Sequence, residues 1–261
     1  MGKLSVYAKN ALLEHMFGAE YTPAATVYVA LSTTDPASSV TEPVGNGYAR
    51  SAMAFSAAAT RTVIQNGTSS FPLATGTWGL ITHWVIYDAL TVGNMLAYGA
   101  FNTSFTPVNG NIPSIPTTNI QITIDATVTA SAGFTDVAVH KMLDLMFRNI
   151  AWTQPTIHIA VALATLTDAS TTLTEETGTG YARVAVTAWD TADAGHLQNT
   201  GQIDIGPPTE DDWGVLTSLT VMSAASAGDI LAYDNDNVTD QTPTTLDIVR
   251  IEAGAFDLTL D

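Results

Sequence analysis

The nine residues Glu42-Pro43-Val44-Gly45-Asn46-Gly47-Tyr48-Ala49-Arg50 return further along the chain as Glu175-Glu176-Thr177-Gly178-Thr179-Gly180-Tyr181-Ala182-Arg183. Glutamate, two glycines, tyrosine, alanine and arginine match at identical internal spacing, which indicates a tandem duplication. We call residues 42–50 and 175–183 the first and second glycine loops. The sequence predicts two homologous domains, residues 1–127 and residues 128–261, each close to the common domain size.

Each half begins with a predicted amphipathic helix. In the first half, apolar residues recur at helical spacing between a capping Ser5 and a terminating Gly18. In the second half, the corresponding helix covers residues 134–147, with Thr135 or Asp136 as its cap.

Short strands follow in both halves, separated by Gly, Pro and Asn turns. Residues 26–31 and 156–161 alternate in the manner of half-buried strands, and Trp78 and Trp213 open a later pair of matching segments. We therefore predict a mainly β protein made of two tandem β-sandwich or jelly-roll-like domains, each with one N-terminal α-helix.

The composition excludes several functional classes. The chain has 261 residues, a formal net charge of −17 and no cysteine. Strong acidity argues against direct nucleic-acid binding, and the lack of thiols excludes disulfides and thiolate metal sites. No long apolar run follows the N-terminus, so we expect neither a secretory signal nor a membrane helix.

The negative charge is concentrated in the second half of the chain. Residues 1–130 carry four cationic and six acidic side chains, whereas residues 131–261 carry four and nineteen. One interpretation is that the acidic half provides solubility. The other is that the near-neutral half docks onto a partner and the acidic half faces solvent.

The glycine loops admit a phosphate-binding interpretation, which the sequence does not favour. A dinucleotide fingerprint needs a third glycine and a following helix, but an alternating strand follows here. We expect turns with positive φ that deliver Tyr48 and Tyr181 to the core edge. Arg50 and Arg183 are expected to pair with the glutamates eight residues earlier, within the chain or across subunits.

No catalytic, cofactor or metal site is predicted. The histidines lack ligand spacing and are expected to be surface or edge residues: His15, His83, His140, His158 and His196. Residues 234–240 carry oxygen ligands on alternate positions but lack the features of an EF-hand, which favours a solvated loop over calcium. There is no Gly-x-Ser-x-Gly nucleophile motif, and the residues that the halves share are mostly fold-keeping types.

The pattern resembles phage virion proteins of the small tail-fibre or head-decoration type. The first half carries the resemblance in Val27 to Pro36, Glu42 to Arg50, Trp78 to Ala89 and Gly93 to Gly99. The second half keeps its glycine loop, Trp213-Gly214 and Gly228 to Tyr233, but loses the segment equivalent to His83-Trp84-Val85-Ile86-Tyr87-Asp88-Ala89. The resemblance implies a structural role without catalytic residues.

These observations predict a non-enzymatic virion protein, assembled in the host cytoplasm, most simply a decoration or cement protein on the capsid. Its expected partners are the major capsid protein and further copies of itself, with a trimer as one possibility and no membrane or cofactor. A tail or fibre-anchoring protein is the first alternative. A carbohydrate- or host-surface-binding module is the second, using Trp84, Trp152 or Trp189.

Overall fold

A computed structural model describes residues 2–124, 131–236 and 241–260. Within these residues the chain forms two successive units with the same order of elements. The first contains β1 (Lys3–Leu4), α1 (Val6–Phe17), β2 (Val27–Ser32), β3 (Ser51–Met53), β4 (Thr62–Ile64), β5 (Ser69–Ser70), β6 (Ile81–Tyr87), β7 (Met95–Phe105), β8 (Ser114–Ile115) and β9 (Gln121–Thr123).

The second unit repeats that order element by element. It contains β10 (Ala132–Phe134), α2 (Asp136–Arg148), β11 (His158–Ala162), β12 (Val184–Ala185), β13 (His196–Gln198), β14 (Ile203–Ile205), β15 (Ser218–Met222), β16 (Ile230–Asp234), β17 (Val249–Ile251) and β18 (Asp257–Thr259). The predicted boundary between residues 127 and 128 lies outside the described residues and stays a prediction.

Each unit is built around one five-stranded antiparallel sheet. The strand orders are β1-β7-β6-β2-β3 and β10-β16-β15-β11-β12, so every strand has its equivalent in the other unit. The remaining strands form the two-stranded sheets β4-β9 and β5-β8 in the first unit, and β13-β18 and β14-β17 in the second. Apolar side chains from the large and small sheets share one hydrophobic core, and the predicted mainly β class with tandem units is confirmed.

The helix caps are where the sequence predicted, but α2 begins at Asp136 and not at the predicted residue 134, because Phe134 ends the strand β10. The hydroxyl oxygen of Ser5 accepts the Ala8 N–H at 3.1 Å, and that of Thr135 accepts the Ala138 N–H at 3.3 Å. Each hydroxyl thereby satisfies a backbone donor that has no partner within the helix. At the other end of α1, the Gly18 N–H donates to the Glu14 carbonyl at 2.8 Å. Among the described residues, neither helix has the length and apolar character needed to cross a membrane.

The central strands are more buried than their alternating sequences predicted. All five residues of β11 and five of the six in β2 are buried. In the second unit, the outer face of the sheet is covered by a small apolar cluster that includes Leu166 from the loop after β11. Because that loop shields the face that alternation would leave in water, the prediction of half-buried strands was wrong.

The two units share one hydrophobic core, and they contact each other in a reciprocal way. The Phe55 ring lies 5.3 Å from the Phe147 ring of α2, and the Trp189 ring lies 4.7 Å from the Phe17 ring of α1. Trp189 occupies the position in the second unit that Phe55 occupies in the first. Each helix therefore packs its last aromatic residue against the same site of the other unit.

Hydrogen bonds follow the same reciprocal pattern. The Ala58 N–H donates to Asp144 Oδ1 at 2.9 Å, and the equivalent Ala192 N–H donates to Glu14 Oε1 at 2.7 Å. One turn earlier on each helix, His140 accepts a backbone N–H of the first unit and Asn10 accepts one of the second. A contact in which each partner presents the same patch is isologous, as in a two-fold dimer. The chain is thus a covalent pseudo-dimer of its two units.

Candidate functional site

The second glycine of each loop is required by its backbone. Gly47 has φ +77° and Gly180 has φ +81°, a region that residues with a Cβ rarely adopt. A Cβ atom at Gly47 would lie 2.4 Å from the Leu73 carbonyl oxygen, and one at Gly180 would lie 2.1 Å from that of Pro207. The first glycines differ, since Gly45 has positive φ and Gly178 instead lies against the Trp213 ring.

The tyrosine of each loop ties it to the central strand. Tyr48 Oη accepts the Leu31 N–H at 3.0 Å and donates to Glu42 Oε2 at 2.8 Å. Tyr181 repeats this arrangement with Val161 at 3.3 Å and Glu175 at 2.6 Å. Burial and the neighbouring carboxylate raise the pKa of both hydroxyls far above the usual value, so both remain protonated donors.

The arginine of each loop binds the loop glutamate and also a second turn, residues 89–92 in the first unit and residues 224–227 in the second. Arg50 Nη2 lies 2.6 Å from Glu42 Oε1, and Arg183 Nη2 lies 2.7 Å from Glu175 Oε2. The other terminal nitrogen of Arg50 donates to the carbonyls of Ala89 and Val92, at 2.9 and 2.6 Å. That of Arg183 donates to Ala224 and Ala227, at 2.8 and 2.6 Å. The arginines therefore pair within the chain.

The Glu175 carboxylate responds to these contacts. Burial raises the pKa of Glu175, but hydrogen bonds from Arg183 and Tyr181 outweigh burial and hold that pKa below its ordinary value. The same hydrogen bond raises the pKa of the Arg183 guanidinium. The pair is ionised at neutral pH.

A tryptophan completes each glycine loop. Trp78 Nε1 donates to the Asn46 carbonyl at 2.9 Å, and Trp213 Nε1 donates to the Thr179 carbonyl at 3.1 Å. Each indole meets the loop tyrosine edge to face, with ring centroids 5.2 Å apart in the first loop and 5.5 Å apart in the second. This geometry is favourable for aromatic pairs and fixes the tyrosine ring.

These contacts stabilise the glycine loops, and the charged side chains within them are already paired. Glu42 and Glu175 each accept from a tyrosine and an arginine, and both arginines are bound by carboxylate and carbonyl oxygens. A short strand, β3 or β12, follows each loop, so neither loop presents a helix N-terminus to a phosphate. In residues 2–124, 131–236 and 241–260, no group of three or more His, Asp or Glu side chains is placed to hold a metal ion. The possible calcium loop lies partly outside these ranges.

Two histidine predictions were wrong: His15 is buried between the units, and His158 is buried in β11. His15 Nε2 lies 2.9 Å from the Trp152 carbonyl oxygen, and Nδ1 accepts the Tyr21 N–H at 3.2 Å. Helical position alone did not reveal the burial of His15, since the side that it occupies becomes covered only when the second unit packs there.

A charged cluster at the same interface was not predicted from the sequence. Arg61 is buried and has φ +59°, and its Nη1 donates to the Phe134 carbonyl at 3.0 Å and to Asp136 Oδ1 at 3.1 Å. Asp168 Oδ2 also lies 3.1 Å from that nitrogen, and Asp168 Oδ1 accepts the Tyr233 hydroxyl at 2.6 Å. The equivalent position in the second unit is Gly195, so no repeated motif marked the cluster.

The glycine loops lie within two larger surfaces of equivalent construction. The first loop face comprises residues 43–47, 72–80 and 106–113, and the second loop face comprises residues 176–180, 206–215 and 242–248. Backbone hydrogen bonds join the three segments of each face, such as Thr75 to Asn46 in the first and Thr209 to Thr179 in the second.

The two loop faces differ in charge. The first loop face contains no Asp, Glu, Lys or Arg and exposes the apolar side chains of Val44, Leu73, Leu80, Val108 and Ile112. The second exposes four carboxylates, from Glu210, Asp211, Asp212 and Asp247. The charge imbalance of the two halves is therefore present at structurally equivalent surfaces.

Comparison with known families places both units in one group. The model of a family described as podophage GP4 fiber I protein gp80 matches the chain twice, over residues 3–123 and residues 133–259. The chain belongs to this family. The predicted tandem duplication and phage structural class are thereby confirmed. None of the curated proteins compared with the chain matches it.

Proposed function

We propose that the chain is a fibre-type structural protein of a phage virion, located at the tail or its fibres, where it attaches to other virion proteins. The observation that carries the proposal is the family match over both units. The glycine loops support it, because their tyrosine, arginine and tryptophan side chains hold the loops to their own sheets. The sequence favoured a capsid decoration protein, but the family description favours its tail and fibre alternative.

Electron cryomicroscopy of the native particle tests this location. We expect density for the chain at the neck, tail or fibres. Density on the capsid shell would instead support the decoration role and its contact with the major capsid protein. If purified particles lacked the chain, the proposal of a virion component would fail.

A second candidate function is saccharide binding, which one cavity favours. The cavity measures about 660 Å³ and is lined by Trp152 together with polar side chains such as Asp144, Gln154 and Asp229. An indole ring beside planar polar groups suits a neutral sugar, which stacks one face and hydrogen-bonds at its edges. Of the other two tryptophans considered, Trp84 is buried and Trp189 packs against Phe17 and Phe256.

A glycan array probed with the purified chain tests the second function. Trp152→Ala is the informative variant, and Thr22→Ala, at the equivalent position in the first unit, is its matched control. Saccharide binding that is lost in Trp152→Ala and kept in Thr22→Ala would support the function. An array without binding would remove it.

A further inference from the structure

We propose that the first loop face is a self-association surface, through which two copies of the chain pair face to face about a two-fold axis. The inference begins from exposed apolar side chains. Val44 is 91% exposed, Ile112 64% and Leu73 51%, and all three lie on loops of the same unit. Clustered exposed apolar groups mark interaction sites more often than isolated ones do.

The three segments form one fixed surface. The Ala74 N–H donates to the Asn111 carbonyl and the Gly110 N–H to the Ala74 carbonyl, both at 2.8 Å. Asn46 Nδ2 donates to the Thr77 carbonyl at 2.9 Å. Because loops held in this way lose little conformational freedom on binding, the surface is preorganised for a partner.

The size of the first loop face suits a specific interface. Its segments contain five, nine and eight residues. Five of these 22 residues are buried, namely Pro43, Ala74, Trp78, Pro107 and Pro113, which leaves 17 at the surface. Stable protein interfaces use about 20–30 residues on each side, so the face supplies most of one side.

The distribution of charge favours a second copy of the chain as the partner of the first loop face. Each chain has a formal net charge of −17, and a contact through the second loop face would bring four exposed carboxylates of each copy together. Like charges brought together at an interface oppose association. The first loop face carries no charged side chain, so two copies meet there without that local repulsion. An isologous contact also covers the apolar groups of both copies at once.

The second loop face provides an internal control, because it has the same backbone construction. Ile248 corresponds to Ile112 and Thr177 corresponds to Val44, and the second face also exposes Val215 and Leu246, but it carries four exposed carboxylates that the first face lacks. If apolar exposure alone drove association, both faces would associate. The inference requires that only the first does.

Sedimentation equilibrium on the purified full chain tests the pairing. We expect a reversible dimer that strengthens with added NaCl, because salt screens the repulsion between the rest of the two chains. The double variant Val44→Asp/Ile112→Asp should weaken dimerisation about a hundredfold, since each change places a charge at the contact in both copies. The matched control Thr177→Asp/Ile248→Asp should leave it unchanged.

Circular dichroism and thermal melting verify that both double variants are folded. A wild-type chain that stays monomeric up to high concentration would overturn the inference, as would a trimer or equal weakening by the two double variants. Dependence of particle incorporation on Val44 and Ile112 in a monomeric chain would identify another virion protein as the occupant instead. The inference does not rest on the proposed function: a dimer that is absent from particles would refute only the latter.

Discussion

The two glycine loops have nearly the same internal contacts, whereas the loop faces around them have different charges. In both loops a tyrosine, an arginine and a tryptophan bind the same kinds of atoms at similar distances. On the surrounding surfaces, both units expose valine, leucine and isoleucine, but only the second adds four carboxylates. Contacts that hold the fold are kept in both copies, while the outward surface differs between them.

At the interface between the units, contacts are likewise kept in both copies, with one exception. Its reciprocal contacts keep their geometry although the side chains change, as with Asp144 and Glu14. Arg61 breaks the symmetry, because its counterpart is Gly195. The cluster around Arg61 is therefore specific to one side of the pseudo-dimer. Among the substitutions that distinguish the two sides, we expect a change at Arg61 to have the largest effect on stability.

Arg61→Ala should lower the free energy of unfolding by about 3–5 kcal/mol, because it leaves Asp168 buried without its cation. Urea denaturation followed by circular dichroism measures the loss. Adding Asp168→Asn should recover part of it, since asparagine keeps an acceptor for the Tyr233 hydroxyl and removes the charge. A loss below about 1 kcal/mol would show that the cluster contributes little to holding the units together.

Arg50→Ala and Arg183→Ala should each cost about 1.5–3 kcal/mol, since each leaves a glutamate and two carbonyls without a charged donor. Arg50→Ala should lower the melting temperature somewhat more, because the Arg50 guanidinium also lies 3.5 Å from the centre of the Tyr87 ring, whose equivalent in the second unit is Met222. Arg183→Lys is the matched control and should fall between wild type and alanine, because a lysine cannot reproduce the planar fork. If Arg183→Ala changed association but left melting intact, the arginine would act between chains instead.

Glu14→Ala should cost about 1–2 kcal/mol through the lost hydrogen bond to the Ala192 N–H. Asp144→Ala should cost more, because Asp144 also pairs with Arg148 at 2.9 Å. Thermal melting of both variants compares the two sides of the pseudo-dimer. Equal losses would argue that the Arg148 pair, which is partly exposed, adds nothing measurable.

Much of each unit could be predicted from local pattern. The helix caps Ser5 and Thr135 and the glycine loops depend on residues close in sequence, so their sequence signals are direct. Contacts between the units depend on residues far apart in sequence. His15 was therefore expected at the surface, and Arg61 was not singled out at all. The charge difference was visible in the composition, but only the fold shows that it falls on equivalent loops.

Acidification should weaken the interface at His15, with the smallest effect among these predictions. Both ring nitrogens are used in a neutral form, since Nε2–H donates to the Trp152 carbonyl while Nδ1 accepts the Tyr21 N–H. Burial lowers the pKa of His15, outweighing the Trp152 hydrogen bond and the Glu20 charge that raise it. The unfolded chain then binds a proton more readily than the folded chain. Stability should fall as the pH drops below about 6.5.

A pH series of melting temperatures for wild type and His15→Gln isolates this contribution. Glutamine offers a donor and an acceptor but does not titrate in this range. The raised pKa of His196, caused first by its hydrogen bond to Asp257, acts in the opposite sense and is common to both proteins. The difference between wild type and His15→Gln should therefore grow between pH 7 and about pH 5 in favour of the variant. Parallel curves would mean that protonation of His15 does not affect stability, and that the interface between the units tolerates a protonated imidazole.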